Sequence, residues 1–297
     1  MIRNGTEQTK WGRIAVFLEM IKFSHTIFAL PFALTGALLA ARGLPSAGQL
    51  FWIVMAMVGA RTAAMGMNRL IDAEIDAKNP RTSGRAIPAG LLGKGTVLAF
   101  IVLAVALMLF AAYRLNPLCL YLAPVALFFL VLYSYCKRFT SLAHVVLGIC
   151  LAGAPLGAWI AIRGTFGLPA VLLALAVLFW VAGFDILYAL QDLEFDRNAG
   201  LHSIPVRLGV SRSLWLARLF SLLMVVFLLG VYWLLPLGMP FLCGIVGVIG
   251  LLSYEHWLLR DGDLTKLDLA FFTMNGYISI IIFAATLVDL FVAGGAL

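Results

Sequence analysis

Apolar residues along this chain fall into nine long runs, covering roughly 14–40, 48–70, 95–113, 118–136, 141–162, 169–191, 212–235, 239–259 and 267–292. About twenty apolar residues in a helix cross about 30 Å of hydrocarbon, so each run predicts a transmembrane helix. Arg114-Leu115-Asn116-Pro117 makes a tight reversal between the third and fourth runs. Of the 297 residues, 63% are hydrophobic and 12% charged, about half the charged share of an ordinary soluble domain. The expected fold is an all-α polytopic membrane protein, one domain over 1–297, a bundle of about nine helices with loops capping a central cavity. Residues 1–12 form a polar N-terminus with no apolar core and cleavage site after it, so no removable signal peptide is expected.

The net charge of +7 raises the question of nucleic acid, but the basic residues sit between the spans. The N-terminus and the loops after spans two, four, six and eight hold fifteen of the 21 Lys and Arg; the opposite side holds Arg42, Arg114 and Arg163. Positive residues concentrate on the cytoplasmic side, which places the N-terminus there and makes the charges topology determinants. No nucleic acid is expected. Cys119, Cys136, Cys150 and Cys243 have no Cys-x-x-Cys spacing, so neither zinc nor a disulfide is expected.

Parity also gathers the polar chemistry. Spans two, four and six finish on the same side, bringing Asp72 and Asp76, Lys137 and Arg138, and Asp192 and Asp196 to one membrane face. Asn68, Asp72 and Asp76 recur every four residues and share one helix face, which Arg61 joins seven residues before Asn68. Asp185, Asp192 and Asp196 repeat the acidic pattern at the end of span six. Two such faces predict a site for a hard divalent cation, Mg2+, which favours oxygen ligands and substrate phosphates. The competing reading is a pair of solvated helix ends. Glu74 and Glu194 lie on the opposite faces and read as solvated. Arg61, in mid-span, calls for a partner in a polar cavity; Arg81, Arg85, Lys137 and Arg138 are candidate phosphate ligands. Lys22 and His25 lie early in span one. Two long cytoplasmic loops, containing Asn79-Pro80-Arg81 and His202-Ser203-Ile204-Pro205, are expected to cap the cavity as lids. The pattern fits an amphipathic diphosphate with its head at the rim and its tail in the bilayer.

Arg61-x6-Asn68-x3-Asp72-x3-Asp76-x4-Arg81-Thr82-x2-Arg85 resembles the first signature of the UbiA superfamily of intramembrane prenyltransferases. Phe184-Asp185-x2-Tyr188-Ala189-x2-Asp192-x3-Asp196 is similar to the second, and Tyr133-x3-Lys137-Arg138-x-Thr140 resembles a further family segment. The resemblance implies a nine-helix bundle that moves a prenyl group from a polyprenyl diphosphate to an acceptor with Mg2+. The text around Lys22 to Thr26 and Gly200 to Pro205 looks most like the bacterial 4-hydroxybenzoate polyprenyltransferase branch, some of whose members are thought to prenylate a naphthoate on a menaquinone route. Arg69, His202 and Arg85-Ala86-Ile87 depart from the common pattern and leave the acceptor open.

The resulting expectation is prenylation of an aromatic acid in quinone biosynthesis, at the cytoplasmic side of a bacterial inner membrane. Asp72, Asp76, Asp192, Asp196 and Asn68 hold Mg2+; Arg61, Arg81, Arg85, Lys137 and Arg138 take up the leaving-group charge. Tyr188 and Phe184 offer ring faces to an allylic cation, Asp185 orients an Arg or the acceptor hydroxyl, and Lys22 and His202 are further substrate contacts. A CDP-alcohol phosphotransferase, whose Asp-Gly-x2-Ala-Arg opening is not found here, and a membrane cation transporter are the rivals.

Overall fold

A computed structural model describes residues 10–21, 29–259 and 274–293. Among the described residues every regular element is helical. α1 (Lys10–Met20) and α2 (Ala29–Ala41) occupy the first predicted span. α3 (Ala47–Ile71) continues after one residue into the six-residue α4 (Ala73–Lys78). α5 (Lys94–Leu115), α6 (Pro117–Cys136), α7 (Ala143–Arg163) and α8 (Leu168–Ala189) follow. A single 3-10 turn (Leu190–Asp192) then leads into the short α9 (Leu193–Asn198). α10 (Ile204–Leu234), α11 (Met239–Leu258) and α12 (Asn275–Ala293) complete the described chain. Eight of these helices are long and apolar enough to cross a membrane, and α2 is shorter.

The helix limits follow from local chemistry. Ser46 and Gln49 form a reciprocal capping box at the start of α3, and Asn116 caps α6 through the Cys119 amide. Asp289 of α12, fully buried, accepts hydrogen bonds from the Gly238 and Phe241 amides and so caps α11 from another helix.

α8 is the most buried of the long helices and packs against α7, α10 and α2. Around it Phe32, Trp180, Leu228, Phe241 and Ile278 build the main core. Backbones touch where glycine allows it. A Cβ on Gly148 of α7 would sit 2.5 Å from the Leu178 carbonyl oxygen of α8, and one on Gly59 of α3 would lie 2.7 Å from the Ala104 carbonyl of α5. Large apolar side chains point outward instead, among them Leu103, Phe110, Phe128, Trp233 and Phe291, the surface an integral membrane protein presents to lipid.

Two expectations about loops need correction. The segment after span six is mostly helix: α9 takes up 193–198, and α10 begins at Ile204 rather than near 212. Ser203 caps α10 through the Val206 amide at 3.3 Å. Pro205 then stands in the first turn, where its missing N–H costs nothing. The long helix bends at Gly209, whose φ of 77° suits glycine alone. The segment after span two likewise opens with α4 before its run of turns.

Candidate active site

The two acidic motifs are built alike. α3 stops directly at Asp72 (φ −88°, ψ 3°), and α8 stops at Ala189, from which the 3-10 turn leads to Asp192 (φ −100°, ψ 5°). A six-residue helix, α4 or α9, then carries the second aspartate, Asp76 or Asp196. The shared construction extends the shared spacing and turns both acids off the ends of α3 and α8.

The structure neutralises the acids with basic side chains. Asp72 is 2% exposed; its Oδ2 accepts a hydrogen bond from Asn68 Nδ2 at 3.0 Å and lies 2.8 Å from Lys137 Nζ, and its Oδ1 lies 3.0 Å from Arg138 Nη1 as an ion pair. Arg138 also donates to the Ser134 and Ile71 carbonyls, tying the end of α6 to the end of α3. Asp76 pairs through Oδ1 with Arg85 Nη1 at 2.6 Å; its Oδ2 is buried with no hydrogen-bond partner. Asp192 is gripped from the other motif: Arg81 donates through Nε (2.9 Å) and Nη2, and Asn79 Nδ2 adds a bond of 3.1 Å. Arg81 Nη1 continues to the Tyr188 hydroxyl at 3.0 Å, with the guanidinium 5.3 Å from that ring's centre. Burial disfavours the Arg81 charge, but the Asp192 carboxylate and the Tyr188 hydroxyl outweigh it and hold its pKa above the ordinary arginine value. The ends of α3, α6 and α8 thus meet at one end of the bundle, as the parity of the spans predicts.

Residues 29–277 match the UbiA prenyltransferase family. The chain belongs to this family. It is 30% identical over 247 residues to a 4-hydroxybenzoate octaprenyltransferase of Tolumonas auensis, covering 83% of this chain and 85% of that one. A UbiA homolog from Aeropyrum pernix K1, solved in its apo form, superposes with a TM-score of 0.82 at 31% identity, over 90% of this chain and 98% of its own. A UbiA homolog from Archaeoglobus fulgidus bound to GPP and Mg2+ shares the fold, with a TM-score of 0.74 at 20% identity over 93% of this chain and 99% of its own. The all-α bundle and the prenyltransferase reading therefore stand over the two rivals.

Within this UbiA bundle the predicted residues divide. Asn68, Asp72, Asp76, Arg81, Arg85, Lys137, Arg138, Tyr188 and Asp192 make up one polar network of three side-chain groups, Asn68–Asp72–Lys137–Arg138, Asp76–Arg85 and Arg81–Asp192–Tyr188, which the α3–α4 backbone carries side by side. Asp196 lies near it, with Asp192, Lys137, His144 and Arg81 as electrostatic neighbours. Arg61 sits on the Asn68 face of α3, seven residues and so about 10 Å deeper along the axis. Among the described residues Asp185 is paired with neither an arginine nor another acid; its Oδ2 lies 2.6 Å from Nδ1 of the buried His144. His202 joins the network through its backbone N–H, which donates to the Lys137 carbonyl at 2.7 Å, while its side chain faces a cleft lined by Thr140, Ser141 and Arg207. Lys22 and His25 lie outside the described residues. Glu74 and Glu194 are exposed, as solvated faces require.

In the described structure the carboxylates of each motif face basic side chains. The Tyr188 ring lies beside Arg81. His144, absent from the sequence reading, bridges α7 to α8 and also approaches the Ile204 amide at 3.4 Å. A lone histidine early in an apolar run carries no local signal of its acidic partner 41 residues on.

Proposed function

We propose that this UbiA protein transfers a polyprenyl group from a polyprenyl diphosphate to an aromatic acid of the 4-hydroxybenzoate class in a Mg2+-dependent reaction of quinone biosynthesis. The observation that carries the reading is the pair of matching acid-bearing helices clasped together by Arg81 and Asp192. It gathers carboxylates and four cations at one end of an apolar bundle, where a diphosphate head and a prenyl tail both find their solvent. The acceptor class rests on the family relatives. The excess of Lys and Arg on this side supports a site facing the cytoplasm from a bacterial inner membrane.

The donor set suits Mg2+. It consists of hard carboxylate oxygens, and the buried Asp76 Oδ2 lacks a hydrogen-bond partner, an arrangement costly to keep unless a ligand completes it. Asp72, Asp76, Asp192, Asp196 and Asn68 are the residues proposed to hold the ion. When bound, Mg2+ supplies positive charge to the diphosphate oxygens as they become a leaving group.

The remaining chemistry belongs to the chain. Arg81, Arg85, Lys137 and Arg138, which hold the acids, are also the groups poised to receive diphosphate oxygens. As the allylic C–O bond breaks, its electron pair leaves with the diphosphate, and these fixed cations stabilise that charge without reorganising solvent. The allylic carbon bonds a ring carbon of the acceptor, and the ring proton passes to the released diphosphate or to water, which restores aromaticity. Apolar surroundings that keep water from the allylic carbon would delay capture of the cation.

The test is direct. Purified protein in lipid nanodiscs receives a polyprenyl diphosphate and 4-hydroxybenzoate, with Mg2+ or with chelator. Prenylated acid and free diphosphate should appear in equal amounts and only with Mg2+; transfer unaffected by chelation, or diphosphate release with no prenylated acid, contradicts the reading.

A further inference from the structure

Arg69 is the cation the network leaves over. It sits in the last turn of α3 and is only 9% exposed. Its Nη1 reaches Asn68 Oδ1 at a long 3.4 Å, its Nε has no hydrogen-bond partner, and no ion pair engages it among the described residues. The acids nearby are already held: Asp72 by Lys137 and Arg138, Asp76 by Arg85. A guanidinium cannot shed its proton to escape burial. A buried charge without a close counter-ion is expensive, and the expense is removed when an anion arrives.

We propose that Arg69 is an oxyanion receptor of this site, its guanidinium taking oxygens of one reacting partner: the diphosphate of the prenyl donor or the carboxylate of the acceptor. The inference rests on the prenyl-transfer reading for the identity of those partners. Three observations support it. Arg69, Asp72 and Asp76 stand at i, i+3 and i+7, one face of the α3–α4 rod, with Arg69 about one turn deeper than Asp72. Its electrostatic neighbours, Arg85, Asp76, Tyr133 and Asp72, all border the acid network. The face carries an unpartnered donor at Arg69 Nε and an unpartnered acceptor at Asp76 Oδ2, so it is incomplete at both ends as it stands. A planar fork of N–H groups matches two oxygens of a carboxylate or phosphate, which a lysine at the same place does not.

The experiment uses the full chain in detergent micelles: wild type, Arg69→Gln and Arg69→Lys. Inorganic diphosphate and 4-hydroxybenzoate are titrated separately by calorimetry, without prenyl donor. KM is then measured for the polyprenyl diphosphate, for 4-hydroxybenzoate and for its neutral methyl ester. If the diphosphate is the guest, Arg69→Gln weakens inorganic diphosphate binding by about ten-fold or more and leaves 4-hydroxybenzoate binding unchanged. If the carboxylate is the guest, 4-hydroxybenzoate weakens by that amount while the KM of the methyl ester is the same in both proteins. Unchanged affinity for both probes overturns the proposal, whatever happens to turnover. Should Arg69→Gln fail to fold, Arg69→Lys decides: a several-fold loss for one probe supports the receptor, and equal constants for both refute it. A wild type that binds diphosphate through Arg69 but transfers no prenyl group would sink the proposed function and leave the receptor standing.

Discussion

Arg81 and Asp192, 111 residues apart, share a two-pronged ion pair in which Nε donates to Oδ1 at 2.9 Å and Nη2 donates to Oδ2. This contact joins the first acidic motif to the second. The arginine stands three residues after α4, on the turn led by Asn79, whose side chain binds the same carboxylate.

The fork geometry makes the pair testable. Arg81→Lys keeps the charge but cannot bridge two oxygens and a tyrosine hydroxyl together. Prenyl transfer per folded molecule should fall about ten-fold or more. Tyr188→Phe removes one hydrogen bond at the edge of the same unit and should cost less. Both are read in the nanodisc assay with folded protein quantified by size-exclusion chromatography.

Arg61 offers a second test. It lies deeper on the α3 face that carries Asn68 and Asp72, where a charge needs a polar partner. Arg61→Lys should lower activity while membrane expression holds. Equal activity in the two proteins places Arg61 outside the site.

Much of this architecture was legible in the chain. Apolar runs mark the spans because hydrocarbon demands length and composition. The i, i+4 recurrence of Asn68, Asp72 and Asp76 predicts one face because helical geometry is local. What pairs with what was not legible, since partners meet only after packing: Asp185 with His144, Asp192 with Arg81. Arg69 reads in sequence as one more cytoplasmic cation; its isolation is a property of the folded interior. The segment around Pro205 read as a loop because proline and glycine usually punctuate, yet proline in a first turn, behind the Ser203 cap, starts α10 instead.

Topology follows from the Lys and Arg count. A reporter inserted near Pro80 or Asn198 should read cytoplasmic, and one at the extreme C-terminus exterior. A cytoplasmic C-terminus would remove a span and contradict the parity on which the orientation rests.

Packing makes a separate prediction. Gly148 of α7 faces the Leu178 carbonyl of α8 so closely that a Cβ would approach it to 2.5 Å. The obstacle is backbone, which cannot rotate away. Gly148→Val should destabilise the bundle by about 1–3 kcal/mol or more, seen as a lower Tm in detergent and reduced yield. Gly153→Ala, on the same helix with nothing within 4 Å of its Cβ position, should leave Tm nearly unchanged.

The central claim is that both acidic motifs serve one diphosphate. It is tested most directly by prenyl transfer per folded molecule across a Mg2+ titration, for Asp72→Asn, Asp192→Asn and the double variant. If the motifs act as a unit, either single change nearly abolishes turnover, and the double is little worse than the worse single. Raised Mg2+ should recover part of the loss in the singles. A well-folded Asp192→Asn with full activity would contradict the account, leaving the first motif to act alone.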